Sequence, residues 1–110
     1  MGVEVYASAG EGDGLGGRAV VPGVPDVPAD VEQWRGLVCA YGWPCDEALA
    51  VLWCESRGDP SAVSPDGQNI GLFQLNLIHG YYPGPEENVA KAYAIWLDYG
   101  GHWTAWACRP

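Results

Sequence analysis

The stretch Pro44-Cys45-Asp46-Glu47-Ala48-Leu49-Ala50-Val51-Leu52-Trp53-Cys54-Glu55-Ser56-Arg57-Gly58-Asp59-Pro60 carries the central element of the fold. Proline suits the first position of a helix, where its missing N–H is not needed. Asp46 and Glu47 then complement the helix dipole. From Ala48 to Cys54 the run is apolar all round, the pattern of a buried helix. Gly58 offers a stop, and Asp59-Pro60 bars continuation. At helical spacing Ala48, Val51, Leu52 and Glu55 share one face, so Glu55 is expected to point where the core residues point. Burial disfavours the carboxylate anion and raises its pKa, and the partial negative charge at a helix C-terminus pushes the same way. The expectation is an acid still protonated near neutrality, the state general-acid chemistry requires. The alternative is a helix-end carboxylate paired with Arg57.

Outward from this helix the 110-residue chain divides in two. The first 33 residues hold seven Gly and three Pro, in stretches such as Gly10-Glu11-Gly12-Asp13-Gly14 and Pro22-Gly23-Val24-Pro25. This predicts a flexible acidic Gly/Pro-rich arm over 1–28 and a folded domain over 29–110. So small a domain benefits from covalent reinforcement. Cys39, Cys45, Cys54 and Cys108 offer it, because an even count in a small domain reads as two disulfides made in an oxidising compartment. Of the three possible pairings, Cys39–Cys45 across a short interhelical turn with Cys54–Cys108 tying the C-terminal segment to the central helix is favoured. Four free buried thiols are the alternative. Without a C-x-x-C pair zinc is not expected. His79 and His102 lack metal-like spacing, so neither metal nor cofactor is expected.

Fourteen acidic and five basic residues give a net charge of −9, which argues against a nucleic-acid backbone as partner. No apolar run reaches the roughly 18 residues of a membrane-spanning helix. Met1-Gly2-Val3-Glu4 lacks the basic start and apolar core of a signal peptide, so a removed leader or release with a virion is the expected route out of the cell.

A first helix is expected over Ala29–Tyr41. Asp30 is its N-cap with Gln33 in capping-box register, its apolar stripe is Val31, Trp34, Val38 and Tyr41, and Gly42 is its stop. Residues 59–71 are turn formers and read as a loop or short hairpin. Leu72–Ile78 fits a strand or a short helix. A last helix is expected over Glu86–Tyr99, with Val89, Ala92, Tyr93 and Trp96 on one face and Gly100-Gly101 at its end. The class is mainly α with a small β element, built around the buried central helix.

The pattern Glu55-Ser56-x-x-Asp59-Pro60-x-Ala62-x-Ser64-Pro65-x-Gly67, followed by Gly71-Leu72-Phe73-Gln74-Leu75, resembles the soluble lytic transglycosylase family of the lysozyme-like superfamily. That family's pattern is E-S-x-x-x-P-x-A-x-S-x-x-G, then G-L-M-Q; here one extra residue precedes Gly71. The resemblance covers residues 44–76, with a weaker continuation through Asn88-Val89-Ala90-Lys91-Ala92. It implies an α+β lysozyme-like domain whose loop or hairpin lines a glycan cleft. It implies Glu55 as catalytic acid/base, Ser56 supporting the site through its hydroxyl, and Gln74 reaching the N-acetyl group or glycan backbone. The implied partner is peptidoglycan, at an extracellular, cell-envelope or virion location. The arm would serve as a tether to a larger cell-wall or virion assembly.

Two departures bear on the site. The family's late A-Y-N-A-G motif is absent; Tyr93 in Ala92-Tyr93-Ala94 is its nearest echo, with Trp103 or Trp106 as alternatives. Asn69-Ile70-Gly71-Leu72-Phe73-Gln74-Leu75-Asn76 also resembles the D-Y-G-I-F-Q-I-N stretch of animal-type lysozymes, with Asn69 in place of the second carboxylate. The candidate substrate-binding set is therefore Ser56, Asn69, Gln74, Tyr93 and Trp103. An amide is a poor nucleophile, so the usual two-carboxylate schemes lapse, whereas a transglycosylase needs one acid. Asp59 and Asp66 are the rivals for a second carboxylate, though both suit turns. Tyr81, Tyr82, Trp103 and Trp106 fall in predicted loops, where flat rings serve sugar stacking or core packing. A hydrolase on the same fold, or a non-catalytic glycan-binding or virion module, are the competing functions.

Overall fold

The computed structural model describes residues 29–110; the arm expected over 1–28 lies outside the described residues. The elements are α1 (Ala29–Glu32), α2 (Arg35–Val38), α3 (Cys45–Ser56), β1 (Asn69–Ile70), β2 (Leu75–Asn76), a 3₁₀ turn (Leu77–His79) and α4 (Pro85–Asp98). The domain is mainly helical, with a two-stranded sheet and two disulfides.

α3 is the buried centre, with Ala48, Leu49, Val51, Leu52, Glu55 and Ser56 all withdrawn from solvent. α1 and α2 pack on it, and α2 also touches α4. α4 contributes Val89, Ala92 and Ile95 to the core, and the turn after β1 contributes Leu72 and Phe73. Trp43 joins these layers. Its ring lies within 5.2–6.3 Å of Tyr41, Phe73, Tyr93, Trp96 and Trp103, and its N–H donates to the Val38 carbonyl at 2.7 Å.

The single helix expected over 29–41 is two short ones, broken at Gln33–Trp34. Trp34 is the cause: its backbone N–H closes a tight turn on Val31 O at 2.9 Å, and its indole N–H reaches the Gly58 carbonyl at 2.8 Å. Asp30 sits inside α1 rather than capping it, and Gln33 donates to the Asp30 carbonyl instead of closing a capping box. Gly58 also does more than stop a helix. α3 ends one residue earlier, at Arg57 with φ 60°, and a Cβ on Gly58 would strike the Asp30 backbone. Glycine is thus required for α1 to approach the end of α3.

Residues 59–76 resolve into a hairpin. β1 pairs antiparallel with β2 in the register Asn69↔Asn76 and Ile70↔Leu75, and Val63 bridges Ile70 from the other side. The ambiguous stretch Leu72–Ile78 is turn, then strand, then 3₁₀. Strands of two residues do not hold themselves; Asn88, fully buried on α4, holds them. Its Oδ1 accepts from Phe73 N at 2.9 Å, and its Nδ2 donates to Ile70 O at 2.9 Å and Tyr82 O at 2.8 Å. A Cβ at Gly71 would lie 2.5 Å from that nitrogen, and φ there is +81°. α4 starts one residue before its predicted start, with Glu87 accepting from Gly84 N at 3.2 Å. Gly100 and Gly101 close its end through N–H bonds to Leu97 O and Trp96 O, each 2.9 Å.

The disulfides follow the favoured pairing, Cys39–Cys45 and Cys54–Cys108, with Cα–Cα distances of 5.0 and 6.0 Å. They close loops of unequal length, spanning 6 and 54 residues of sequence. On chain entropy, removing Cys39–Cys45 as alanines should cost about 2 kcal/mol and removing Cys54–Cys108 about 4 kcal/mol. Urea denaturation of the two double variants checks that order. Asn88→Ala, which strands three backbone partners, two of them in buried bonds, should cost roughly 3 kcal/mol in the same assay.

Candidate active site

Glu55 is the next-to-last residue of α3 and is fully buried. Helical phase places it in line with Val51 and Leu52, so the carboxyl enters the region the apolar face occupies. Its Oε2 accepts from Cys108 N at 3.4 Å, while Oε1 is buried without a partner. Burial pushes its pKa up to about 8, against the smaller opposing effect of the Cys108 N–H. Glu55 is therefore neutral at pH 7. With Oε2 accepting a hydrogen bond, Oε1 is the oxygen left to carry the proton. The pairing with Arg57 does not form; that guanidinium lies 4.6 Å from the centre of the Trp53 ring.

Glu55 lines a cleft of about 360 Å³. The hairpin supplies one wall through Asp66, Asn69, Gln74 and Asn76, and Tyr99 and Trp106 line it from the C-terminal part of the chain. The hairpin side chains form a connected polar chain. Ser64 donates to Asp66 Oδ1 at 2.6 Å and accepts from Asn69 N at 3.0 Å and Asn69 Nδ2 at 3.2 Å. Asn76 Nδ2 donates to Asn69 Oδ1 at 3.2 Å. The hydrogen bond from Ser64, with a second from Gln68 N, holds the Asp66 carboxyl below its usual range. One cleft thus holds a neutral carboxylic acid and a carboxylate, kept apart in acidity by their surroundings.

Of the residues expected at the site, Glu55, Asn69 and Gln74 come together in the cleft. Gln74 adopts a left-handed backbone, φ 49°. Its Nε2 is committed to Ala62 O at 2.9 Å and Gly71 O at 3.0 Å, which leaves Oε1 buried and unpartnered. Ser56, Tyr93 and Trp103 are elsewhere. Ser56 Oγ donates to Leu52 O and accepts from Gly58 N, both at 3.3 Å, sealing the end of α3. Tyr93 packs on Tyr41 and Trp96 in the aromatic core. Trp103 stacks on Trp43 and donates to Glu47 Oε1 at 2.9 Å. Backbone hydrogen bonds hold Ser56 and ring packing holds Tyr93 and Trp103, whereas Trp106 is the indole that reaches the cleft. Asp59 makes the expected turn, accepting from Ser61 N and Ser61 Oγ.

Sequence reasoning missed Asn76, His79 and Tyr99 as cleft residues. Tyr99 had a usable signal, standing four residues after Ile95, which lines the same cleft. Asn76 also had one, as the last residue of the lysozyme-like stretch Asn69–Asn76, whereas His79 had none. Among the described residues no group of three or more His, Cys, Asp or Glu is placed to hold a metal ion. Nor is any helix among them long and apolar enough to cross a membrane. No protein-family model, curated protein or solved structure matches the chain.

The state of Glu55 has a consequence for stability. The unfolded chain releases this proton near the ordinary value of 4.5, the folded chain only near 8. Between those values the folded state binds the extra proton. Its stabilisation is complete below pH 4.5 and is lost as pH rises through about 8, at up to about 1.4 kcal/mol per pH unit. Glu55→Gln should flatten that decline and gain on the wild type as pH rises. Denaturation of both proteins from acid to mildly alkaline pH measures it.

Proposed function

We propose that this protein cleaves peptidoglycan glycan strands at the β-1,4 bond between N-acetylmuramic acid and N-acetylglucosamine, by lytic transglycosylase chemistry on a lysozyme-like domain. The observation that carries this reading is Glu55: a fully buried carboxyl, neutral at pH 7, with one oxygen unpartnered, on a residue that lines a cleft. The motif spanning Glu55 to Gln74 supplies the substrate class. Its two ends, Glu55 and Gln74, meet in that cleft.

The mechanism needs one acid. Glu55 gives its proton to the glycosidic oxygen as the bond from that oxygen to C1 of the muramic acid breaks. The N-acetyl carbonyl of the same sugar can hold the electron-poor C1. The resulting Glu55 carboxylate then takes the proton of the C6 hydroxyl while O6 bonds to C1. The product is a 1,6-anhydro ring, Glu55 is again an acid, and no water is consumed. Gln74 contributes an acceptor, Oε1, to a substrate N–H or O–H, because its amide nitrogen is already committed. Asn69, an amide held by Ser64 and Asn76, cannot act as the nucleophile. The two disulfides suit an extracellular, envelope or virion setting.

Asp66 favours a second reading. It lines the same cleft and is kept ionised, so it is the candidate base for a water in a hydrolase of the same bond.

The test is mass spectrometry of fragments released from purified peptidoglycan by the wild type, Glu55→Gln and Asp66→Asn. The transglycosylase reading expects products one water lighter than hydrolytic ones. It expects Glu55→Gln to lose at least about 100-fold of the release rate and Asp66→Asn to keep most of it. Reducing ends that depend on both residues would make the enzyme a hydrolase. No release by folded wild-type protein would leave a glycan-binding module.

A further inference from the structure

Glu55 is not buried by its own helix alone. The residue before it, Cys54, is bonded through sulfur to Cys108, and the Cys108 backbone N–H is the donor to Glu55 Oε2. Ala105, Trp106 and Ala107, just before the cystine, line the cleft beside Glu55. This segment belongs to no helix or strand. Its fastenings are side-chain ones: Trp103 Nε1 to Glu47 Oε1, Trp106 Nε1 to Phe73 O, and the disulfide. The two indoles fix positions 103 and 106, whereas the residue that touches Glu55 is fixed by sulfur.

We propose that the Cys54–Cys108 disulfide is a positioning device for the acid of this site: it clamps residues 105–108 over Glu55 and so keeps the carboxyl away from water and within reach of the Cys108 N–H. The proposal rests on the reading of Glu55 as the reacting acid, but its test does not. Cys39–Cys45 provides the internal comparison. Cys45 opens α3 and Glu55 lies ten positions on, about 15 Å along the helix, so that bond stabilises the domain without covering the carboxyl. Among the other charged and titratable groups nearby, Asp66, His79 and Tyr99 share the cleft. Arg57 lies over Trp53, and Arg109, next to Cys108, donates to the Thr104 carbonyl. None of them is a hydrogen-bond partner of Glu55.

The experiment is a carboxyl NMR titration of ¹³C-labelled protein, with the Glu55 resonance assigned by its absence in Glu55→Gln. The wild type should titrate near pH 8, and Cys39→Ala/Cys45→Ala should do the same. Cys54→Ala/Cys108→Ala, folded by circular dichroism, should titrate well below that, toward the ordinary value of 4.5. A midpoint still near 8 in that folded variant overturns the proposal. So does an equal fall in both double variants, which would mark general loosening. If Cys54→Ala/Cys108→Ala does not fold, Trp106→Phe is read instead, because it keeps the tether and removes the indole bond to Phe73. A midpoint held near 8 supports the tether, and a fall toward 4.5 overturns it. Because no substrate enters the titration, a protein that cleaves no glycan still passes or fails this test.

Discussion

α3 buries one broad face, formed by Ala48, Leu49, Val51, Leu52, Glu55 and Ser56, while Ala50 in the middle of its apolar run stays exposed with Asp46 and Glu47; covering that face is the demand placed on the segments around it. None of them can answer it alone. α1 and α2 are four residues each, β1 and β2 two each, all below the length at which such elements persist by themselves. α1 and α2 persist because they pack on α3, and the strands because Asn88 on α4 holds the turn between them. The joints are specific. Trp43 ties α2 through its indole N–H and the hairpin turn, α4 and the C-terminal segment through its ring contacts, Asn88 fixes the turn, and Gly58 lets α1 reach the end of α3.

The cleft follows from where that cover is incomplete. At the C-terminal end of α3 the hairpin and the segment around Trp106 approach without closing, and Glu55 lies where they leave off. The site's electrostatics come from the same geometry. Glu55 is neutral because its solvation is replaced by one backbone N–H. Asp66, a few residues along the hairpin and open to water, is ionised because a hydroxyl and a backbone N–H point at it. The chemical difference between two ordinary carboxyls is thus a difference of cover.

Periodicity located α3, its inward face and Glu55 on that face, because helical phase and apolar patterning are local properties. The same held for α4 within one residue, whose cap and terminating glycines are neighbours in sequence. Periodicity failed at the first helix, where the stripe Val31, Trp34, Val38 was present but a contact from Trp34 to Gly58, 24 positions away, broke the helix. It also could not sort the aromatics. Trp103 and Trp106 read alike, yet one is held in the core by Glu47 and Trp43 while the other edges the cleft.

The amino-acid order by itself determined the buried central helix, the acid on its inner face, the turn-rich hairpin segment and the four cysteines that brace a small domain. Each of these depends on residues close in sequence or on composition. The fold alone decided which polar groups stand at the cleft, that Ser56, Tyr93 and Trp103 do not, and how far Glu55 is removed from water. Apart from Ser56, those outcomes depend on partners far apart in sequence, such as Asn88 with Phe73, 15 positions apart, Cys108 with Glu55, 53 apart, and Trp103 with Glu47, 56 apart. No local pattern records which distant backbone N–H will arrive beside a buried carboxyl.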